Sequence, residues 1–294
     1  MSLLEKISAI EIKADTRISD ADREYCKAHQ KAYEEAKATI IKLETLWDGF
    51  IKSQEETLNE EICSQYEKHR YTVIDGMSSH SLSTKIAGLP EIFVESIVSY
   101  FNSKYHVSVS SLKIKGVLVP KAPSYNWEKS RIEEYNDAIR ALTLNYEDVV
   151  EQIFVQLGGR TFEQRALDEL KEKCHDFAWR TSTGKAEYEL HNDTIQFEYG
   201  CSYESWRSRT VWKVRDGMKD VLRSIAHFET QQLDYLPKDI AFLVGYDDKC
   251  SSKYDFDYEK VKRIRMFKNH RVDIKFSSKE LAHQFAEQYL GLVA

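Results

Sequence analysis

The chain has no closely spaced cysteine pair, no long apolar run and no glycine-rich phosphate loop, and each absence removes a class of protein. Its five cysteines, Cys26, Cys63, Cys174, Cys201 and Cys250, are odd in number and far apart, whereas zinc ribbons and thioredoxin-like motifs need close pairs. They read as free thiols in a reducing compartment, small buried hydrophobes rather than bridges. No stretch approaches the roughly 20 apolar residues of a membrane span, and the opening MSLLEKISAIEIKADTR lacks the basic start and apolar core of a signal peptide. A soluble intracellular protein is the expectation. No dinucleotide fingerprint, P-loop or nucleophile elbow occurs, which argues against those mechanisms and no others.

A surplus of positive charge is also missing. The formal charge is -6 over 294 residues, so bulk attraction to phosphate backbones is not expected, although a local basic face can oppose the net value. The charge is unevenly spread. Residues 1–75 hold 11 basic and 16 acidic side chains, whereas 201–275 hold 16 basic and 12 acidic. The two ends therefore carry opposite signs and can attract one another, within a subunit or between subunits.

What is present begins with a helix. Ser19 and Asp22 form an N-cap with an acidic first turn, after which Tyr25, Ala32, Ala36, Ile40, Leu43, Trp47 and Phe50 recur at three- or four-residue steps, with Leu58 and Ile62 following more loosely. This predicts one very long helix, or two broken near Gly49. Its apolar stripe needs a partner helix, from this chain or from a second subunit, and Ile40, Leu43, Trp47 and Phe50 are the candidate oligomerisation residues. The turn-rich stretch 75–90 then separates this region from a helix expected over 89–105, with Pro90 in its first turn. The domain division that follows is 1–88, extended and helical, and 89–294, a mixed body.

Beyond residue 106 the pattern alternates. Short extended pieces are expected over 107–126, helices over 142–159 and 161–180, a hairpin at 186–199 around His191-Asn192-Asp193, and an extended segment leading into a helix over 210–229. VKRIRMF and RVDIKF form a second hairpin through Lys268-Asn269-His270, followed by a helix capped by Ser277 and stopped by Gly291. The fold class is α+β: a long N-terminal helical region, then a mixed domain of antiparallel hairpins and packed helices.

None of the polar clusters makes a convincing reaction centre. Adjacent His175 and Asp176 point about 100 degrees apart on a helix, and His191 with Asp193 suits a polar turn. The acidic group Asp247, Asp248, Asp255, Asp257 and Glu259 lacks the order and glycine of a calcium loop. Asp273 and Lys275 share a strand face, yet a metal-dependent nuclease needs further ligands around the phosphate. No catalytic residue, metal or cofactor is assigned. The alternatives kept open are a nucleic-acid-binding accessory protein and such a nuclease.

The basic C-terminal part offers a binding surface instead. Arg207, Arg209, Trp212, Arg263, Arg265, Phe267 and Arg271 mix guanidinium groups with aromatic rings, a combination that suits a protein partner and is also compatible with phosphate and base contacts. If the strand is regular, Arg263, Arg265 and Phe267 share one face while Lys262, Ile264 and Met266 share the other.

LTLNYEDVVEQIFVQLGGRTFEQRALDELKEKC, TVWKVRDGMKDVLRSIAHFE and MFKNHRVDIKFSSKELAHQF, spread over about residues 130–290, resemble an uncharacterised phage and mobile-element domain family often found beside DNA methyltransferase-like sequence. That resemblance brings no established catalytic residue and implies a phage or prophage setting, hence the cytoplasm of a bacterial host. In size, projecting helical N-terminus and mixed C-terminal body the chain is also similar to phage proteins that inhibit the Gabija defence system. This second resemblance implies an oligomer that surrounds a nuclease-containing host complex and blocks DNA access without chemistry of its own.

Overall fold

The computed structural model describes residues 17–57, 79–123, 129–180, 185–206, 209–245 and 250–292. The chain divides into two compact units, one within Met1–Lys104 and Val109–Thr161, the other within Tyr105–Ser108 and Phe162–Ala294. Residues 88 and 89, where composition suggested a boundary, lie inside a helix. Several helices come first and antiparallel strands with further helices follow, as the α+β reading expects. Among the described residues no helix is long and apolar enough to cross a membrane.

The first unit contains α1 (Asp20–Thr57), α2 (Ser79–Tyr105), α3 (Ser111–Leu118), α4 (Lys129–Ala141) and α5 (Tyr146–Leu157). α1 runs through Gly49 without a break. Its start is a reciprocal cap: the Asp22 N–H donates to Ser19 Oγ at 3.2 Å, while the Ser19 N–H and hydroxyl donate to Asp22 Oδ2 at 2.9 and 2.6 Å. Asp22 is fully buried, and its other oxygen accepts from the Tyr100 hydroxyl at 2.8 Å and Lys104 Nζ at 2.5 Å, tying α1 to α2. Farther along, buried Glu44 accepts from the Ser83 hydroxyl at 2.5 Å and from Arg140 Nη2 at 2.8 Å, joining α1, α2 and α4.

Three expectations for this unit need correction. α2 begins at Ser79, so Pro90 lies inside the helix; buried Ile86, Phe93 and Val94 hold the turns on either side of the missing N–H. The apolar spacing of Ile92, Phe93, Ser96, Ile97 and Tyr100 predicts one core face for this helix; Phe93 and Ile97 do face the core, but Ile92 is exposed. SLKIKGVL, expected to be extended, is α3, because Ser110 caps it by accepting from the Lys113 N–H and Ile114 is buried beneath it.

The second unit is built on a five-stranded antiparallel sheet in the order β3-β4-β9-β8-β7. Its strands are β3 (Tyr188–His191), β4 (Thr194–Phe197), β7 (Lys253–Asp255), β8 (Val261–Met266) and β9 (Val272–Phe276), with two ribbons beside it: β1 (Trp179–Arg180) with β2 (Lys185–Ala186), and β5 (Cys201–Trp206) with β6 (Arg209–Val214). The inner face carries Ile195, Phe197, Ile264, Met266, Val272, Ile274 and Phe276. They share one core with α6 (Phe162–Ala178), α7 (Asp216–Thr230), α8 (Lys238–Gly245) and α9 (Lys279–Phe285), which continues as a π-helical turn to Leu290. Phe228 of α7 meets Phe276, Phe285 and Tyr289 edge-on, with ring centroids 6.2, 5.5 and 6.1 Å away.

Both expected hairpins form. Asn192 and His270 take positive φ values of 50° and 72° at their turns. The last helix is capped by Ser278, one residue later than expected, while Gly291 ends it at φ 71°. Ser277 instead donates its hydroxyl to the Glu259 carbonyl. Strand β8 is not regular either: Val261 pairs with Phe276 and Arg263 with Lys275, so Lys262 is an extra, bulged residue. Val261 takes the inward place that strict alternation assigned to Lys262. The Glu229 carboxylate fixes this bend, accepting the backbone N–H groups of Glu259, Lys260 and Val261 at 2.5, 2.9 and 3.1 Å.

The described cysteines, Cys26, Cys174, Cys201 and Cys250, are free and buried. Burial pushes the Cys26 and Cys174 thiols up to about 12, which suits packing and not nucleophilic work. Cys63 lies outside the described residues.

Replacing Asp22 with Ala should lower the unfolding free energy in urea by about 2–4 kcal/mol, because it removes the cap and the buried carboxylate that ties α1 to Tyr100 and Lys104 of α2. A loss under about 0.5 kcal/mol would mean the tie holds nothing.

His227 gives a second prediction. Its Nδ1 lies 2.7 Å from the Tyr289 hydroxyl, and burial, reinforced by Lys171 and Lys260, lowers its pKa below the ordinary 6.5. The folded state therefore prefers neutral His227, so this contribution is complete above about pH 6.5 and is lost as pH falls from there through the folded value. Melting temperature should drop over that interval for the native chain and less for His227→Gln; parallel curves would contradict it.

Candidate functional site

The pleat that buries one face of the sheet presents the other as two polar rows. Register places Glu189, Gln196, Asp273, Arg265 and Lys253 side by side across all five strands, and His191, Thr194, Lys275, Arg263 and Asp255 beside them. Much of their charge is consumed within the face. Asp255 holds both Arg263 at 2.5 Å and Lys253 at 2.6 Å; Arg271 reaches Asp273 at 2.9 Å, Lys275 reaches Asp193 at 3.3 Å and His191 reaches Glu189 at 3.0 Å. The two cations hold Asp255 below the usual carboxylate range, whereas partial burial raises Asp273 despite Arg271 beside it.

The tip of the β8–β9 hairpin departs from this balance. Phe267 sits between two guanidinium groups, with Arg265 Cζ 4.8 Å and Arg271 Cζ 4.4 Å from its ring centre. The tip is anchored to β5: the Cys201 N–H donates to the His270 carbonyl at 3.1 Å, and His270 Nδ1 lies 3.2 Å from the Cys201 carbonyl. Lys268 Nζ lies 5.3 Å from the Tyr203 ring centre, and Arg215 Cζ lies 6.0 Å from that of Tyr199. A cleft of 290 Å³ opens beside the tip, lined by Glu189, Gln196, Glu198, Tyr199, Asn269 and Arg271.

Arg265, Phe267 and Arg271, anticipated as partner-binding residues, are thus brought together. Arg263 lies on the same face but is neutralised by Asp255. Trp212 is buried at 7 % exposure and pairs across the ribbon with Tyr203, with Cys250 bridged behind it; it is a core residue rather than a contact residue, because its ribbon face is covered. Arg209 is in β6 opposite Trp206, and Arg207 lies outside the described residues. Glu189, Gln196 and Glu198 were not anticipated, although the alternation of polar residues along 189–196 was the signal that would have placed them beside the basic strand.

In α1 the apolar stripe is turned from its expected position. Asp22, Cys26, Tyr33 and Glu44 are buried, Ile40 and Trp47 are half-buried, and Leu43 and Phe50 remain 45 % and 38 % exposed, with Leu46 beside them at 62 %.

Among the described residues no group of three or more His, Cys, Asp or Glu side chains is placed to hold a metal ion. Asp273 and Lys275 do share the outer face, but each is engaged by a neighbour of opposite charge. Set against known protein families, curated proteins and solved structures, the chain matches none.

Proposed function

We propose that the protein is a binding factor without chemistry of its own, which engages another protein through the outer sheet face around the β8–β9 tip. The observation that carries this reading is the Arg265–Phe267–Arg271 stack, standing on paired strands among charges that compensate each other. Guanidinium and aromatic groups held rigid in this way match the residues that dominate protein interfaces. A phosphate backbone is less well served, because Glu189, Glu198, Asp255 and Asp273 lie among the cations and oppose a polyanion. Hydrolysis has less support again, since Asp273, Glu189 and Asp193 are committed to Arg271, His191 and Lys275. In the phage setting that the sequence resemblance implies, the partner is a host assembly, and an antiviral nuclease complex of Gabija type is the proposed target.

Exposed Leu43, Leu46 and Phe50, spaced by three and four residues on α1, support self-association of the same factor. A symmetric contact between copies would repeat the tip surface and raise avidity for a large partner.

Affinity purification of the tagged chain from infected bacteria should recover a host protein. Phe267→Ala or Arg265→Ala should lower recovery about tenfold or more, and Arg263→Ala less than about threefold. Equal recovery with every folded variant would contradict the placement. Salt-sensitive binding to unrelated oligonucleotides, or turnover of nucleic acid with divalent ions, would replace the reading altogether. Light scattering should give an oligomer that Leu43→Ser with Phe50→Ser converts to smaller species, and a monomeric native chain would refute self-association.

A further inference from the structure

The cations around the hairpin tip differ from those on the rest of the sheet face. Lys253, Arg263 and Lys275 each have a carboxylate within 2.6, 2.5 and 3.3 Å. Arg215, Arg265 and Lys268 have no carboxylate within ion-pair distance among the described residues, Asp273 acting on Arg265 only from farther across the strand pair, and each cation instead lies against the ring of Tyr199, Phe267 or Tyr203. An aromatic ring restricts a cation without neutralising it. These three groups have therefore lost part of their conformational freedom while keeping their full charge, which lowers the cost of meeting an anion.

We infer that this patch docks an acidic protein segment whose carboxylates meet Arg265 and Lys268, with Arg215 at its margin. The inference rests on the protein-binding reading above and adds the chemistry of the partner. Discrete carboxylates fit better than a polyphosphate for two reasons. The uncompensated cations are few, whereas backbone binding neutralises a series of phosphates. The adjoining cleft carries Glu189 and Glu198 together with Arg271, whose guanidinium is held by Asp273, and Glu198 forms no ion pair among the described residues. A continuous line of phosphates would run past these two carboxylates, while a short acidic segment can turn its backbone N–H groups toward them.

The test uses the full chain and two probes, an acetylated hexaglutamate amide and a twelve-residue oligothymidylate, with binding followed by fluorescence anisotropy in low salt. Hexaglutamate should bind the native chain more tightly than the oligonucleotide does. Arg265→Gln with Lys268→Gln should weaken it about tenfold, and so should raising the salt severalfold. Lys253→Gln, which removes a cation already held by Asp255, should change it less than about twofold. Circular dichroism melts that match the native curve qualify each variant. Tighter binding of the oligonucleotide would overturn the inference and assign the patch to nucleic acid. Absence of hexaglutamate binding, with host-partner recovery still lost in Phe267→Ala, would overturn the acidic chemistry and leave the protein-binding role standing.

Discussion

The pairing of β8 with β9 is the constraint on which the second unit depends. Ile264 opposite Ile274 and Met266 opposite Val272 place four apolar side chains in the core, and the same register sets Arg265 opposite Asp273 on the outside. A slip of one residue would exchange the two faces. Two features oppose such a slip: the bulge at Lys262, fixed by the Glu229 carboxylate, and the tip anchored between His270 and Cys201. The core thus specifies the surface. Arg265 is presented on the outer face because the alternate positions of β8 are buried, and the turn that follows brings Phe267 beside it and Arg271 over the same ring.

The surface in turn owes its character to compensation. A sheet face with basic residues on adjacent strands would repel itself, and carboxylates at Asp193, Asp255 and Asp273 offset most of that repulsion. What remains is a small area of positive charge next to the exposed ring of Tyr199 and the half-buried rings of Phe267 and Tyr203. This is the difference between the local picture and the overall charge of -6: the net value predicts weak attraction to phosphate, while the tip carries local positive charge.

Periodicity revealed the elements better than it revealed their orientation. The alternation in VKRIRMF and RVDIKF, with turn residues between, was enough to place the hairpin, and Gly291 enough to end the last helix. The bulge escaped because nothing in KVKRI marks an extra residue; it follows from Glu229, more than thirty residues away, binding three backbone N–H groups. The start of α2 escaped because Pro90 reads locally as a helix opener, while tertiary burial of Ile86 and Phe93 carries the helix through it. The stripe of α1 was misaligned because two carboxylates, Asp22 and Glu44, occupy its buried side. A hydrophobicity pattern cannot show that Tyr100, Lys104, Ser83 and Arg140 will satisfy them. Trp212 was read as a contact from composition alone, and only the pairing of β5 with β6 assigns it to the interior.

The central claim is that the β8–β9 tip meets the partner as a rigid, aromatic-braced set of cations. Amide hydrogen exchange, compared between the free chain and its complex with the captured host protein, tests this most directly. The account predicts slower exchange over 265–271 and at 199–203 in the complex, with α7 unchanged. Protection confined to other parts of the chain, with the tip exchanging as it does alone, would contradict it.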